Sequence, residues 1–407
     1  MKPRAMIIVE NAPFTLDPRV THQAQALLDA GWEVTVICPS DDSGYKGTKH
    51  GVRVRLATYP VAPVTPGIAG YLLEYVWSLT WISSRVLREA RRGIDVVQVC
   101  NPPDVLFIPG LLARALSGAA LIFDQHDLTP ELFEVKFGKS RILRSILLAC
   151  ERLSFAAADV ALSTNDSYRS LALSRGGKRP EDVFVVRNGP DWIPEARLPN
   201  TADVSLKRPY VVGYVGMMGK QDGIDVLVRV AHHVVHHERR EDVRFLIIGD
   251  GPALPAACRL AARLGVDAYI DFVGQVRGHA LYEALSHTHV CVAPDPKTPY
   301  TDRSTMIKVM EYMALGKPIV QFDLLEGRYT AHDASLYARN NDESDFAAKI
   351  VQLIDDEEAR KRMGRIGRER IESALEWRLQ IPLLLAAYGR AMQKAGRRRR
   401  LLRRPIA

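Results

Sequence analysis

Cysteine is scarce in this sequence and never paired: five residues in 407 (Cys38, Cys100, Cys150, Cys258 and Cys291), none in a CxxC spacing. That excludes a disulfide framework and a zinc ribbon. Three of the five lie in apolar runs such as VTVIC and HVCVAP, so buried, reduced thiols in a cytoplasmic protein are the expectation. Long hydrophobic runs are missing as well. A membrane-spanning helix needs roughly 18 or more apolar residues in succession, and the nearest approach, 68–87, is interrupted by Glu74 and Arg85. The opening MKPRAMIIVENAP has too short an apolar part for a signal peptide.

What is present is an ordinary globular composition, 47% hydrophobic and 25% charged. The chain is long enough for two domains of about 180 residues each. Short apolar runs alternate with amphipathic stretches almost throughout: AMIIV, EVTVIC, VRVRL, DVVQV, ALIFD and DVALS come first. YVVGYVG, VRFLIIG, YIDFVG, HVCVAP and PIVQF follow. That rhythm predicts βαβ units and parallel sheets. Between the two sets, NGPDWIPEARLPNTADVSLKRP carries four prolines and no apolar period, and reads as a linker. The expected organisation is therefore α/β, with a doubly wound domain over 1–190, a linker over 191–209 and a second such domain over 210–374. A helix over 375–407 would return to the first domain and end in a basic tail. Ligands of such sheets bind beyond the carboxyl ends of the strands.

The segment PYTDRSTMIKVMEYMALGKPIV (299–320) predicts a helix over about 304–315, capped by Asp302 or Ser304 and stopped by Gly316 and Pro318. Its first turn, Ser304, Thr305 and Met306, would offer free N–H groups and the positive end of the helix dipole to a phosphate. Arg303 and Lys308 would add cations, and Lys308 shares a face with Glu311. The alternative is a capped helix with an ordinary i,i+3 ion pair.

EYMALGKPIV resembles the donor-site signature of family 4 glycosyltransferases, and other pieces fall in the same order. GYVGMMGKQDGIDVLVRVA resembles the family's phosphate-loop segment, LIIGDGP and IDFVGQV its strand-turn pieces, and RNGPD its hinge. DPRVTHQAQALLDAGWEVTVI and the His-Asp of FDQHDLTPE match in the first half. The resemblance spans 17 to about 375. It implies the GT-B fold, two Rossmann-like domains facing each other across a cleft, and transfer of a sugar from a nucleotide diphosphate with retention. It further implies that Glu311 holds the ribose, that Gly216 and its neighbours approach the diphosphate, and that Arg19 reaches it from the other domain. His126 would lie near the reacting sugar and Val276 near the base. His126 also has a bland reading, as a structural histidine paired to Asp124 or Asp127.

Two positions depart from the family. Arg303 stands eight before Glu311, where relatives carry a glutamate that contacts the sugar. Met217 and Asp222 replace the usual phosphate-binding Arg and Lys, leaving Lys220 nearby. The family needs no metal, and no DxD motif stands at a strand end, so neither metal nor other cofactor is expected. HHVVHH (232–237) reads as the solvated end of a helix, although His233 and His237 have zinc-binding spacing.

Net charge is +8, with seven cations between Lys394 and Arg404. The tail reads either as a solvated terminus or, with the apolar segment 67–87 and the basic amphipathic KFGKSRILRSILLACERL (136–153), which could equally be core-packing helices, as suited to an anionic membrane surface and a polyprenyl-linked or other glycan acceptor. Nucleic acid is not expected, since no aromatics interleave the basic run. The alternatives to a transferase are a GT-B nucleotide-sugar epimerase or hydrolase, and a non-catalytic nucleotide-sugar-binding protein.

Overall fold

The computed structural model describes residues 2–40, 48–49, 52–62, 67–190 and 208–402. The chain divides into two compact units, one formed by Met1–Asn188 with Leu379–Ala407, the other by Gly189–Arg378. Of the proline-rich segment 191–209, all but Arg208 and Pro209 lies outside the described residues.

The first unit is built on β1 (Arg4–Ile8), β2 (Glu33–Ile37), β5 (Arg55–Leu56), β6 (Val96–Cys100), β7 (Ala120–Gln125), β8 (Val160–Ser163) and β9 (Val183–Val185). Two-residue strands β3 (Thr48–Lys49) and β4 (Val52–Arg53) form a separate antiparallel pair. The main sheet is parallel in the order β5-β2-β1-β6-β7-β8-β9. Every residue of β6, β7 and β8 is buried, as expected where helices cover both faces. Those helices are α1 (Pro18–Asp29), α2 (Gly67–Ala90), α3 (Phe107–Ser117), α4 (Thr129–Phe137), α5 (Arg141–Ala157) and α6 (Asp166–Ser174).

The second unit's sheet is parallel too: β10 (Tyr210–Val215), β11 (Val243–Ile248), β12 (Ile270–Gly274), β13 (Val290–Ala293), β14 (Ile319–Phe322) and β15 (Ser335–Ala338), ordered β12-β11-β10-β13-β14-β15. Its helices are α7 (Ile224–His232), α8 (Leu254–Leu264), α9 (His279–Ser286), α10 (Ile307–Ala314), α11 (Leu325–Ala331), α12 (Glu343–Asp355) and α13 (Glu357–Arg370). Alternate strand residues feed opposite cores. Val212, Tyr214, Phe245 and Ile247 face α7, α8 and α12, while Val215, Ile248, Cys291 and Ala293 face α10.

The strand order reverses at β1/β6 in one unit and at β10/β13 in the other. There the following connections leave in opposite directions and open a crevice at the carboxyl edge.

The last helix, α14 (Ile381–Leu402), packs against β6, β7, β8 and β9. The polybasic tail is in part not a free end. Lys394 and Arg390 bind Asp182 at 2.6 and 2.9 Å, and Arg398 binds Asp159 at 2.8 Å. These cations sit on the helical face turned to the acids at the ends of β8 and β9, so they fasten α14 to its own unit. Of the tail, side chains are described only as far as Arg398.

Candidate functional site

In the second unit the crevice at β10/β13 is stitched from within by α10. The Tyr312 hydroxyl accepts from Val215 N at 2.9 Å and donates to Val292 O at 3.2 Å, joining the two strands where they part. One turn earlier, Lys308 is buried with its Nζ 2.9 Å from Asp295 Oδ1 and 4.8 Å from the Tyr214 ring centroid. Burial works against its charge, but Asp295, Tyr214 and Asp222 outweigh it and hold the Lys308 pKa above the ordinary lysine range. A buried cation thus lies directly beneath the loop that follows β10.

That loop is backbone at its surface. A Cβ on Gly216 would meet Tyr214 Oη at 3.1 Å and Lys308 Cε at 3.8 Å, and its φ of 156° lies in the range that favours glycine. Gly249, after β11, has no room at all, since its Cβ would fall 1.9 Å from Gly216 O. Met218 N donates to Asp250 O at 3.0 Å, so the two glycine turns lock together as one platform. Met217 projects from it, 68% exposed, and Lys220 is exposed in the next turn. Glu311 is half-buried three residues past Lys308; burial pushes its carboxyl pKa up and Lys308 pulls it back. Val276 is half-buried after β12, against the core cluster that includes Val309 and Met310.

The predicted start of the helix at 304 is wrong by three residues, because α10 begins at Ile307 with Met306 as its uncapped N-cap. Asp302 does not cap it: its Oδ1 accepts from Leu325 N at 2.9 Å, at the start of α11. Ser304 does not either, since its hydroxyl donates back to Tyr300 O at 2.8 Å and closes the 3-10 turn Thr301–Arg303. Ser304, Thr305 and Met306 are therefore an approach to the helix, and its first turn is Ile307, Lys308 and Val309. Arg303, half-buried, ends the preceding turn.

The first unit gathers its polar groups around Asp124, at the carboxyl end of β7. Its carboxylate, fully buried, accepts from Arg19 Nη2 at 2.6 Å, Gln23 Nε2 at 2.9 Å and Gln98 Nε2 at 3.0 Å. His126 Nε2 lies 3.0 Å from Asp124 Oδ2. Tyr388 of α14 donates to Gln98 Oε1 at 2.7 Å and extends the network. Of the two candidate partners for His126, the structure selects Asp124. Burial opposes a charge on the ring, yet Asp124 and Cys100 outweigh it and hold the His126 pKa well above the usual imidazole value. In its protonated form the ring donates hydrogen bonds and carries positive charge at the end of β7. Arg19 is only 5% exposed; besides Asp124 it reaches Val186 O at 2.7 Å and Asn188 Oδ1 at 2.6 Å. Within its own unit Arg19 thus supplies the counter-charge that buried Asp124 needs.

Two family models match the chain: "Glycosyl transferase 4-like domain" over residues 15–189 and "Glycosyl transferases group 1" over residues 209–356. The chain belongs to the family 4 glycosyltransferases. Among curated relatives it is 24% identical to the alpha-D-kanosaminyltransferase of Streptomyces kanamyceticus over 333 residues, 77% of this chain and 82% of that protein. Its fold resembles that of sucrose-phosphate synthase from Thermosynechococcus elongatus, with a TM-score of 0.74 at 17% identity over 99% of both chains. It also resembles Anabaena HepE in complex with UDP, with a TM-score of 0.67 at 13% identity over 97% of this chain and 100% of that one.

In this glycosyltransferase the residues missed from sequence are Asp295, Tyr214 and Tyr312 in one unit and Gln23 and Gln98 in the other, while Asp124 was named only as a partner for His126 and not as the centre of a network. Gln98 had a signal: it is the one polar residue of VVQVC, a strand buried throughout. Asp295 had a weaker one, a carboxylate directly after HVCVAP.

A second buried carboxylate of the glycosyltransferase lies just past β1. Glu10, 6% exposed, accepts from Ser78 Oγ at 2.7 Å. Burial raises its pKa to about 7 from 4.5, against the Ser78 hydrogen bond and with help from Glu74. Between about pH 4.5 and about pH 7 the folded state therefore holds more proton than the unfolded one, and Glu10 costs stability as pH rises through that window. Glu10→Gln is expected to remove this slope. Thermal unfolding across the window checks it, and an unchanged slope in the variant would refute the assignment.

Proposed function

We propose that the protein transfers a sugar, with retention, from a UDP-sugar to a glycan or lipid-linked acceptor, without a metal ion. The observation that carries this reading is Lys308, a buried, permanently charged lysine under the glycine platform at the β10/β13 switch point. A diphosphate seated on that platform would lie over Lys308 and the amino end of α10, and both favour the charge that grows on it as the sugar departs. Glu311, one turn along the same helix, would bind the ribose hydroxyls. Gly216, Met217 and Lys220 would border the diphosphate, Arg303 and the approach Ser304–Thr305–Met306 its sugar side, and Val276 the base. His126, held as a cation by Asp124, would stabilise the reacting sugar. Anabaena HepE binds UDP, which favours that base here.

Incubation with UDP-, GDP- and dTDP-sugars is expected to raise the melting temperature for the UDP series alone. Stabilisation follows RT ln(1 + [L]/Kd), about 2.7 kcal/mol at a hundredfold excess over Kd. An equal response to GDP-sugars would overturn the choice of base.

For the acceptor side we propose an anionic bilayer surface, on the cytoplasmic face. Leu72, Leu73 and Val76 on α2 and Ile142 and Ile146 on α5 are exposed; Lys136 Nζ lies 5.9 Å from the ring centroid of Tyr71 on α2, and Lys139, Arg141 and Arg144 flank Ile142 in sequence. Tyr71 packs on Phe133 and Phe137, which joins α2 to α4. Among the described residues no helix is long and apolar enough to cross a membrane. Because Lys394 and Arg398 hold α14 in place, the informative variant is Ile142→Ser/Ile146→Ser and not truncation of the tail. It is expected to lose sedimentation with phosphatidylglycerol vesicles; retained binding would sink this part of the reading.

A further inference from the structure

The residue that follows β6 reaches across to the loop that carries His126. β6 and β7 pair in register as far as Cys100 and Asp124. One residue on, Asn101 still donates its backbone N–H to Asp124 O at 3.2 Å. Its side chain is buried and meets the short connection, 126–128, between β7 and α4. Asn101 Oδ1 accepts from His126 N at 2.6 Å and from Asp127 N at 3.3 Å. Asn101 Nδ2 donates to Asp127 O at 2.8 Å, to Asp104 Oδ1 at 2.9 Å and to Thr129 Oγ1 at 3.2 Å.

One orientation of the amide satisfies all five contacts. Turned over, it would set its NH₂ against two N–H groups and its oxygen against a carbonyl and a carboxylate. Asp104 and Thr129, which keep it the right way round, are buried too, and Ser154 Oγ donates to Asp104 O. The amide therefore serves main-chain groups that have left the sheet and need partners under cover. The consequence falls on His126. Its ring Nε2 lies 3.0 Å from Asp124 Oδ2, while its backbone N–H is held by Asn101. The ring is gripped from β7 and the main chain from β6. A residue anchored at both ends keeps one place for its ring; without the main-chain anchor, a shift of the 126–128 connection carries the ring with it.

We propose that Asn101 is a positioning residue for sugar transfer, setting the place of the His126 ring at the carboxyl end of β7, with Asp104 and Thr129 fixing its amide. This rests on the reading that His126 acts on the reacting sugar. Asn101 touches no substrate and works through His126 alone. A misplacement of about 1 Å can cost a factor of about 10² in rate, so such a clasp has kinetic weight without supplying a charge. The donor diphosphate is bound by residues of the second unit, so the loss falls on kcat and not on the donor KM.

Asn101→Leu nearly keeps the volume of the side chain and removes all five contacts. UDP release is measured from UDP-glucose or UDP-N-acetylglucosamine, whichever the wild-type chain consumes faster, for wild type, Asn101→Leu, His126→Asn and the double variant. Asn101→Leu is expected to lower kcat by a factor on the order of 10–10² with donor KM unchanged. In the double variant kcat is expected to equal that of His126→Asn, because residues that act as one unit are not additive. Losses that multiply would overturn the proposal, since Asn101 would then act on the fold at large. So would an imidazole NMR signal of His126, assigned by its absence in His126→Asn, that is unmoved in Asn101→Leu. Normal turnover of Asn101→Leu beside an impaired His126→Asn removes this proposal alone, whereas normal turnover of His126→Asn removes the role of His126 and the proposal with it. Far-ultraviolet dichroism verifies the fold, and Asn101→Ala, which adds no apolar bulk, carries the same comparison should Asn101→Leu not fold.

Discussion

Lys308→Met is expected to lower turnover of the donor by a factor on the order of 10²–10³, the usual cost of removing one preorganised charge from a developing anion. The argument rests on where the ammonium is held. It lies under Gly216, against the face of Tyr214, and Asp295 fixes its position. Positions of that kind do not have to reorganise as charge grows on a leaving diphosphate. The single variant confounds two effects, however. It leaves Asp295 buried with no counter-charge, and breaking a buried ion pair from one side costs about 3–5 kcal/mol. Lys308→Met/Asp295→Asn removes both charges and is expected to recover most of the stability but none of the turnover. Saturating-donor kcat and the melting temperature separate the two. Wild-type kcat in the double variant would show that Lys308 only holds the loop. Lys308→Arg is no rescue, because the guanidinium is too large for the space beneath the glycine.

Much of this arrangement was legible as pattern and little of it as partners. The strands that read clearly, such as ALIFD and DVALS, are buried on both faces and stand out as short apolar runs. In the two main sheets two strands escaped, β9 (Val183–Val185) and β15 (Ser335–Ala338), each at a sheet edge, short, and partly exposed. The glycine platform and the Lys308–Glu311 face were visible because both are local in sequence. The start of α10 was misplaced because Asp302 and Ser304 have the right chemistry for a cap but spend it on Leu325 and Tyr300. A capping residue is recognisable from sequence; the competitor that takes it is not. The same holds for Arg19, whose partner Asp124 lies 105 residues away, and for the tail cations, which find acids more than 200 residues upstream.

Asp124→Asn is the second large expected effect, and it falls on stability before activity. Asp124 has no exposed surface; of the two groups beside it, Arg19 is buried and His126 half-buried. Burial alone would push the carboxyl up, but Arg19 and His126 outweigh it and hold its pKa far below the ordinary 3.8. A depressed folded-state value stabilises the fold above the unfolded value and is lost only as pH falls through the depressed one. Asp124 therefore does not trigger acid unfolding near pH 4, and its contribution is fully present at neutrality. Neutralising it strands Arg19 and costs about 3–5 kcal/mol. At about 2–4 °C per kcal/mol for a unit of this size, the first unit's melting temperature is expected to fall on the order of 10 °C. His126 should lose its elevated pKa at the same time, visible as an imidazole that titrates near neutrality by NMR. His126→Asn on its own keeps the Arg19–Asp124 pair, so it is expected to cost far less stability while still lowering turnover. Equal destabilisation by the two substitutions would mean that His126, and not Arg19, is the counter-charge the buried carboxylate requires.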